Sequence, residues 1–130
     1  MVKSLSRNMP KNWDTKNIPD LVGKTALITG SNSGLGFYTA KALAEKNCHV
    51  ILSCRTPEKS IATKNKLQNL IPQAQLSTIE IEMSDFNKVS SKCDQISNEY
   101  ENLDLLINNA GIMHPPKTLN SQGYEIQFAV

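Results

Sequence analysis

The chain has 130 residues, of which 39% are hydrophobic and 20% are charged, and its formal net charge is +2. This composition is close to the average of folded globular proteins, which excludes the disordered and fibrous classes. Lysine and arginine are scattered along the chain and form no basic stripe, so the sequence predicts no nucleic-acid partner. The length suits one compact domain.

Three cysteines, Cys48, Cys54 and Cys93, are odd in number and form no C-x-x-C pair. In a chain with no secretory signal they indicate reduced thiols, which favours a cytoplasmic location. Cys48, His49 and Cys54 lack the second pair of ligands that a zinc site needs, so we predict no metal.

No segment approaches the roughly 20 apolar residues that span a bilayer.

Residues 1–20 are predicted to form an N-terminal arm, followed by a domain over residues 21–130. Lys3, Arg7 and Lys11 precede the first acidic residue, Asp14, a pattern that an organellar transit peptide would share. We favour a mobile, solvated arm.

Strand-like and helix-like segments alternate along the chain, as they do in a parallel sheet covered by helices. The predicted strands cover residues 25–29, 49–54, 76–83 and 103–107. In the first helix, Leu35, Tyr38, Thr39 and Ala42 recur at helical spacing, and Asn47 offers a C-terminal stop.

A second helix is predicted from Pro57, with Thr56 as its N-cap and Pro72 beyond its end. The third helix has Asp85 as its N-cap and carries one apolar stripe, which we expect to face the sheet as core: Phe86, Val89, Cys93, Ile96 and Tyr100. Residues 115–116 and 120–123 predict loops, and a helix begins near Tyr124.

The strongest local signal is the glycine-rich segment 29–36, Thr-Gly-Ser-Asn-Ser-Gly-Leu-Gly, between the first strand and the first helix. Glycine at 30, 34 and 36 allows a sharp turn and a close approach of backbone to a pyrophosphate. The N-terminus of the following helix presents free N–H groups and a positive dipole end to such phosphates.

This segment, together with Asn-Asn-Ala-Gly at 108–111, resembles the T-G-x-x-x-G-x-G and N-N-A-G motifs of the short-chain dehydrogenase/reductase family. The lead-in over residues 13–24 is similar to the retinol-dehydrogenase-like branch, and the protochlorophyllide-reductase branch is a further relative. The resemblance implies a Rossmann-type α/β fold, an open parallel sheet in the order 3-2-1-4 with helices on both faces, truncated after the fourth strand.

The resemblance implies that the backbone of Ser31, Ser33 and Leu35 cradles the phosphates. Family members usually place an aspartate after the third strand to contact adenine, where this chain has Glu82. Asn109 is expected to bridge strands at least as much as to contact a ligand. The candidate cofactor-binding residues are Gly30, Ser31, Asn32, Ser33, Gly34, Leu35, Gly36, Arg55, Glu82, Met83, Asn108, Ala110 and Gly111.

The end of the second strand bears on which cofactor is bound. NAD-binding proteins commonly place an acid there for the ribose 2′-OH, whereas arginine favours a 2′-phosphate. This chain has Ser53, Cys54 and Arg55, and no acid lies between Glu45 and Glu58. The sequence therefore favours NADP over NAD.

The catalytic core of the family is a Y-x-x-x-K pair with an upstream serine. None of Tyr38, Tyr100 and Tyr124 is followed by lysine four residues later, so no catalytic residue is assigned. His114 follows the second motif, but we expect it to be a surface histidine.

We therefore expect an NAD(P)-dependent oxidoreductase chain that transfers hydride between NADPH and a carbonyl or alcohol in its fuller relatives, and that is inactive alone. The alternatives are a non-catalytic dinucleotide-binding module and a non-functional fragment. A small-molecule substrate is expected only in a full-length relative, and self-association is expected through the exposed edge of the fourth strand.

Overall fold

The computed structural model describes residues 12–130, so the predictions for Lys3, Arg7 and Lys11 lie outside the described residues. The strands are β1 (Thr25–Thr29), β2 (His49–Cys54), β3 (Leu76–Glu80) and β4 (Leu105–Ile107). The helices are α1 (Gly34–Ala44), α2 (Pro57–Leu70), α3 (Phe86–Glu99) and α4 (Ile126–Ala129), and a short 3-10 helix covers Thr15–Asn17.

The four strands form one parallel sheet in the order β3-β2-β1-β4. Ala26 of β1 lies opposite Val50 of β2 and, on its other side, opposite Leu105 of β4. The chain therefore crosses from the β3 edge back over the sheet to β4. The predicted Rossmann-type α/β fold and its strand order are confirmed.

Helices cover both faces of the sheet, because its strands are apolar on both sides. On one face, α1 and α2 pack over alternate residues such as Ile28 and Leu52. On the other, Ile96 of α3 packs over Leu27 and Ile51. The central strands β1 and β2 are buried almost throughout, as expected for parallel strands between two helical layers.

The helix predicted after the glycine-rich loop is confirmed, but the residues that indicated it do not form its buried face. Leu35 and Tyr38 are exposed, with Leu35 keeping 80% of its accessible surface. The residues that pack on the sheet are Gly36, Phe37, Ala40, Leu43 and Ala44. The small residues at 36, 40 and 44 let the helix axis approach the sheet closely. The helical spacing of the larger side chains, from which the helix was predicted, does not indicate this approach.

The expectation that the whole apolar stripe of α3 is core is wrong. Ile96 is buried, Val89 and Tyr100 are partly buried, and Phe86 and Cys93 are exposed. Within residues 12–130 the face of the sheet under α3 is covered by that helix alone, so the outer half of the stripe lies at the surface. Asp85 is the N-cap, as predicted, and its carboxylate accepts from Asn87 N and Lys88 N.

Two strands are shorter than predicted. β3 ends at Glu80, because the chain turns soon afterwards, where Asp85 N bonds to Glu82 O. Ile81, the residue after the strand, still donates its N–H to Cys54 O at 3.0 Å. β4 begins at Leu105 and leaves Leu103 outside the strand. Before the strand, Asp104 N donates to Thr25 O at 2.9 Å, and the carboxylate of Asp104 accepts from Lys24 Nζ and Thr25 N. These bonds hold the entry to β4 beside β1.

In the described part of the predicted arm, residues 12–20, Lys16 and Asp20 make hydrogen bonds to the body of the domain. Leu21 N donates to Lys46 O at 2.7 Å, and Lys46 Nζ donates to Lys16 O. Asn47 Nδ2 bonds the carboxylate of Asp20. Asn47 itself adopts φ 64° after α1, which confirms it as the C-terminal stop.

Candidate functional site

A cleft with a volume of about 400 Å³ opens at the carboxyl ends of β1, β2, β3 and β4. This is where open parallel sheets bind ligands, beside the point at which the strand order reverses. Eight of the predicted cofactor residues line it: Gly30, Asn32, Ser33, Arg55, Glu82, Met83, Ala110 and Gly111. The cleft thus joins the glycine-rich loop, the ends of β2 and β3, and the Asn-Asn-Ala-Gly segment.

Two glycines let the glycine-rich loop pack against the rest of the site. Gly30 has φ +64°, and a Cβ there would lie 2.9 Å from the Cα of Ala110. A Cβ on Gly36 would collide with the carbonyl oxygen of Gly30 and with the side-chain amide of Asn109. We expected these glycines to admit a pyrophosphate, but the atoms they make room for belong to the protein itself.

The start of α1 presents unbonded backbone donors. Ser33 is the N-cap, but its side chain makes no capping bond, and the first N–H to bond within the helix is that of Phe37, to Ser33 O. The N–H groups of Gly34, Leu35 and Gly36 precede it and have no helical partner. The position where Gly34 would carry a Cβ has no atom within 4 Å, so this end of the helix is open.

Ser31 does not line the cleft. It is fully buried, its N–H donates to Ser53 O at 3.2 Å, and its hydroxyl lies 3.3 Å from the same oxygen. These bonds join the glycine-rich loop to β2. Because the N–H of Ser31 is already bonded, it is not available to a phosphate, and the expectation that the Ser31 backbone cradles the phosphates is wrong. Asn108 also lies outside the cleft lining, as do Gly34, Leu35 and Gly36.

Thr29 and Asn109 tie the ends of β1 and β4 together. The hydroxyl of Thr29 accepts from Asn109 N at 3.0 Å and from Ala110 N at 2.9 Å. Asn109 Nδ2 donates to Thr29 O at 3.0 Å and to Gly30 O at 3.1 Å. These bonds show the strand-bridging role expected of Asn109, whose side chain also borders the cleft.

Two cations border the cleft at the end of β2. Arg55 follows the strand and Lys59 lies in the first turn of α2, and both are exposed. Neither makes an ion pair within residues 12–130. Glu58, between them in sequence, does not line the cleft. This part of the cleft therefore carries positive charge, and the Glu58 carboxylate forms no ion pair with Arg55 or Lys59.

The opposite wall is formed by the turn after β3 and by the C-terminal segment. Glu82 Oε1 accepts from Ser84 Oγ at 2.8 Å and from Ser84 N at 3.2 Å. Asn120 donates to Ser84 O at 2.8 Å, and Gln122 donates to the carboxylate of Asp85 at 3.2 Å. Hydrogen bonds from Lys88 N and Gln122 lower the pKa of Asp85, so this carboxylate stays ionised as the cap of α3.

Sequence reasoning did not assign nine lining residues to the site: Ser53, Cys54, Lys59, Ile81, Ser84, Asn109, Ile112, Ile126 and Val130. For Lys59 a signal was available, since it follows Arg55 by four residues in the first turn of a helix that begins at a strand end. No local signal marks Ile126 and Val130, because they reach the cleft only through the docking of residues 118–130 against the start of α3.

Comparison with known proteins identifies relatives of similar sequence. A family model described as short chain dehydrogenase matches residues 24–129. An uncharacterized oxidoreductase of Schizosaccharomyces pombe is 38% identical over 93% of this chain and 35% of its own length. Retinol dehydrogenase 14 of Mus musculus is 37% identical over 83% of this chain and 35% of its own. The predicted resemblance to retinol dehydrogenases is confirmed, and the chain spans about a third of the length of these relatives.

Solved structures agree with the fold. The crystal structure of an uncharacterized protein from Mycobacterium Paratuberculosis aligns with 90% of this chain and 40% of its own, with a TM-score of 0.76 and 32% identity. The RhlG/NADP active-site complex of Pseudomonas aeruginosa aligns with 72% of this chain and 36% of its own, with a TM-score of 0.65 and 27% identity.

The packing around Gly36 gives a stability prediction. In Gly36→Ala the new methyl group meets the Gly30 carbonyl and the Asn109 amide, and overpacking of this kind costs about 1 to 3 kcal/mol. Alanine favours a helix by up to about 1 kcal/mol, so we expect a net loss of about 1 to 2 kcal/mol in unfolding free energy. Urea unfolding followed by circular dichroism measures it.

The matched control is Gly111→Ala, because a Cβ on Gly111 meets nothing within 4 Å. We expect this variant to change the unfolding free energy by less than about 0.5 kcal/mol. Equal losses in the two variants would contradict the packing role of Gly36.

Proposed function

The chain belongs to the short-chain dehydrogenase family, and we propose that its cleft binds NADP(H). We further propose that its fuller relatives use this cofactor to transfer hydride to or from a carbonyl or alcohol. The observation that carries the proposal is the cation pair of Arg55 and Lys59 in a cleft whose other end adjoins the open N-terminus of α1. When bound, the cofactor supplies or accepts the hydride, and the protein supplies binding and orientation.

The pyrophosphate is assigned to the start of α1. Free N–H groups at a helix N-terminus, aided by the helix dipole, bind phosphate oxygens. Gly34, Leu35 and Gly36 offer such groups, and Ser33 borders the cleft beside them. In this proposal the N–H groups bond the phosphate oxygens, while Leu35 contributes only backbone because its side chain points to solvent.

The 2′-phosphate is assigned to the two cations. A phosphate attracts Arg55 and Lys59, whereas a bare ribose hydroxyl would gain little from either. Glu82, which also borders the cleft, has its Oε1 bonded to Ser84. The NADP bound by the similar RhlG structure supports the choice of NADP over NAD.

The adenosine is assigned to the space between the ends of β3 and β4. Met83 and Glu82 border it on one side, and Ala110 and Gly111 border it on the other. Asn108 follows the last residue of β4, and Asn32 lies in the glycine-rich loop. In this arrangement residues 12–130 bind and orient the cofactor.

A second candidate function is a dinucleotide-binding module without catalysis. It is favoured by the sequence itself, in which no tyrosine is followed by lysine four residues later.

Within residues 12–130 no helix is long and apolar enough to cross a bilayer. We keep the cytoplasm as the proposed location, supported by the free thiols of Cys48, Cys54 and Cys93.

The first test compares cofactors by calorimetry. We expect NADPH to bind more tightly than NADH, and Arg55→Ala to remove about 1 to 3 kcal/mol of that difference, the range for a hydrogen bond to a charged group. Lys59→Ala should remove a smaller part, because lysine offers no bidentate fork. Lys117→Ala, which removes an exposed charge outside the cleft, is the matched control. Equal affinities of the unmodified protein for NADPH and NADH would refute the assignment.

The second test concerns turnover by residues 1–130. Reduction of a carbonyl develops negative charge on oxygen, and without a positioned acid the barrier keeps about 3 to 5 kcal/mol. We expect no NADPH oxidation with aldehydes, ketones or quinones, followed by the near-ultraviolet absorbance of NADPH. His114 is exposed and offers no positioned proton. Turnover that disappears in Gly34→Val would show that these residues contain a catalytic acid.

The third test concerns self-association of residues 1–130. Among residues 12–130, β4 pairs with β1 and with no strand on its other side, and Leu106 keeps 56% of its accessible surface. Unpaired apolar edges attract other edges, so we propose that a second copy pairs there, and we expect light scattering to show growth in mass with concentration. Leu106→Lys should reduce this growth, whereas Leu70→Lys on α2 should not. A monomer at every concentration would contradict the proposal.

A further inference from the structure

Thr56 is the N-cap of α2, but its hydroxyl does not bond the backbone of the helix. The residue is extended, with φ −128° and ψ 149°, and its side chain makes no capping hydrogen bond. At the start of α3, by contrast, the carboxylate of Asp85 accepts from two backbone N–H groups. The first turn of α2 therefore lacks the side-chain acceptor that the first turn of α3 has.

The start of α2 has donors without acceptors. Pro57 has no N–H, and Ser60 N bonds Thr56 O at 3.2 Å. Between them, the N–H groups of Glu58 and Lys59 have no helical partner. The hydroxyl of Ser60, which is buried in the same turn, has no hydrogen-bond partner among residues 12–130. An anion on Thr56 would accept from the two backbone N–H groups and would be favoured by the helix dipole.

Two cations flank Thr56 in sequence. Arg55 precedes it and Lys59 follows three residues later, and neither makes an ion pair within residues 12–130. Both cations border the cleft, whereas Thr56 is partly exposed and does not line it. A hydroxyl outside the cleft is therefore adjacent in sequence to the positive charges that border the cleft.

Thr56 and Pro57 also form a sequence that one class of protein kinase recognises, in which proline follows the serine or threonine that is modified. Position 56 is the one place in the 130-residue chain where proline follows serine or threonine. Proline restricts the residue before it to extended backbone, and Thr56 has that conformation. Arg55, Pro57 and Glu58 are exposed, so the segment is accessible to an enzyme.

We propose that Thr56 is a phosphorylation site, and that its phosphate draws Arg55 and Lys59 away from the 2′-phosphate of NADP(H). The inference rests on the proposed cofactor site and adds its regulation. In the reaction, Thr56 Oγ1 attacks the γ-phosphorus of ATP, the bond from that phosphorus to the β,γ-bridging oxygen breaks, and ADP leaves with the electron pair. The hydroxyl proton passes to a base of the kinase.

The charge on the phosphate explains the effect on cofactor binding. A phosphothreonine carries about −1.5 to −2 charges at pH 7, and a phosphate at a helix N-terminus next to arginine forms charge-assisted hydrogen bonds. A guanidinium that forks onto this phosphate cannot also fork onto the 2′-phosphate, which the new charge repels. NADPH binding therefore weakens, whereas NADH has a hydroxyl at that position and loses little.

The experiment treats the full chain with ATP and a mitogen-activated protein kinase. Mass spectrometry of peptides locates the phosphate, and calorimetry measures the affinities for NADPH and NADH. We expect phosphate on Thr56 and an NADPH affinity that falls about ten-fold or more, the size of one hydrogen bond to a charged group. The NADH affinity should change by less than about three-fold. Thr56→Ala, treated in the same way, should keep both affinities.

Two further variants separate the charge from the cap. Thr56→Asp and Thr56→Asn both place a good acceptor at the N-cap, but only aspartate adds a charge. We expect both to be more stable to urea than Thr56→Ala, and only Thr56→Asp to lose NADPH affinity, by about three-fold or more. Ser97→Asp, which adds the same charge at an exposed position of α3, is the matched control and should keep the NADPH affinity.

The outcomes distinguish this inference from the proposed function. If the unmodified chain binds neither dinucleotide, the cofactor site and the inference both fail. If NADPH binds but the kinase leaves Thr56 unmodified, the cofactor site stands and the phosphorylation site is wrong. A phosphorylated chain that keeps its full NADPH affinity would overturn the regulatory role. Equal losses of NADPH affinity in Thr56→Asn and Thr56→Asp would also overturn it, because they would show that charge is not the cause.

Discussion

The arrangement of the cleft depends on the hydrogen bonds between Thr29 and Asn109. They join residues 80 positions apart in sequence and hold the carboxyl end of β4 against that of β1. Each partner satisfies polar groups of the other strand's backbone, so removing either side chain leaves donors or acceptors unpaired in a partly buried place. The approach is possible only because Gly30 and Gly36 carry no Cβ there.

This contact determines which surfaces can face a ligand. It brings Ala110 and Gly111 opposite the ends of β2 and β3, and it leaves the first turn of α1 open. On the β2 side of β1, the hydrogen bond from Ser31 N to Ser53 O joins the glycine-rich loop to β2. The cleft is therefore a space between fixed strand ends, bordered by one cation, Arg55, that follows β2 and by another, Lys59, on the first turn of α2.

The two sides of the sheet differ in how completely they are covered. The face under α1 and α2 is closed by a continuous apolar cluster, whereas the face under α3 has a smaller cluster and leaves Phe86 and Cys93 exposed. β4 is the most exposed strand, although a parallel strand is expected to be buried on both faces. The best-packed part of the described chain is thus the face of the sheet that α1 and α2 cover.

The sequence alone determined the order and type of the elements, because β-rich runs, caps and glycine turns are local signals. Thr25–Thr29 and His49–Cys54 have the predicted bounds, and eight predicted site residues line one cleft. The tertiary structure decided which face of α1 is buried, that Ser31 bonds β2, and that Lys59, Ser84 and Ile126 reach the cleft. These features depend on how closely two segments distant in sequence can pack. That distance cannot be predicted from the spacing of residues within one segment.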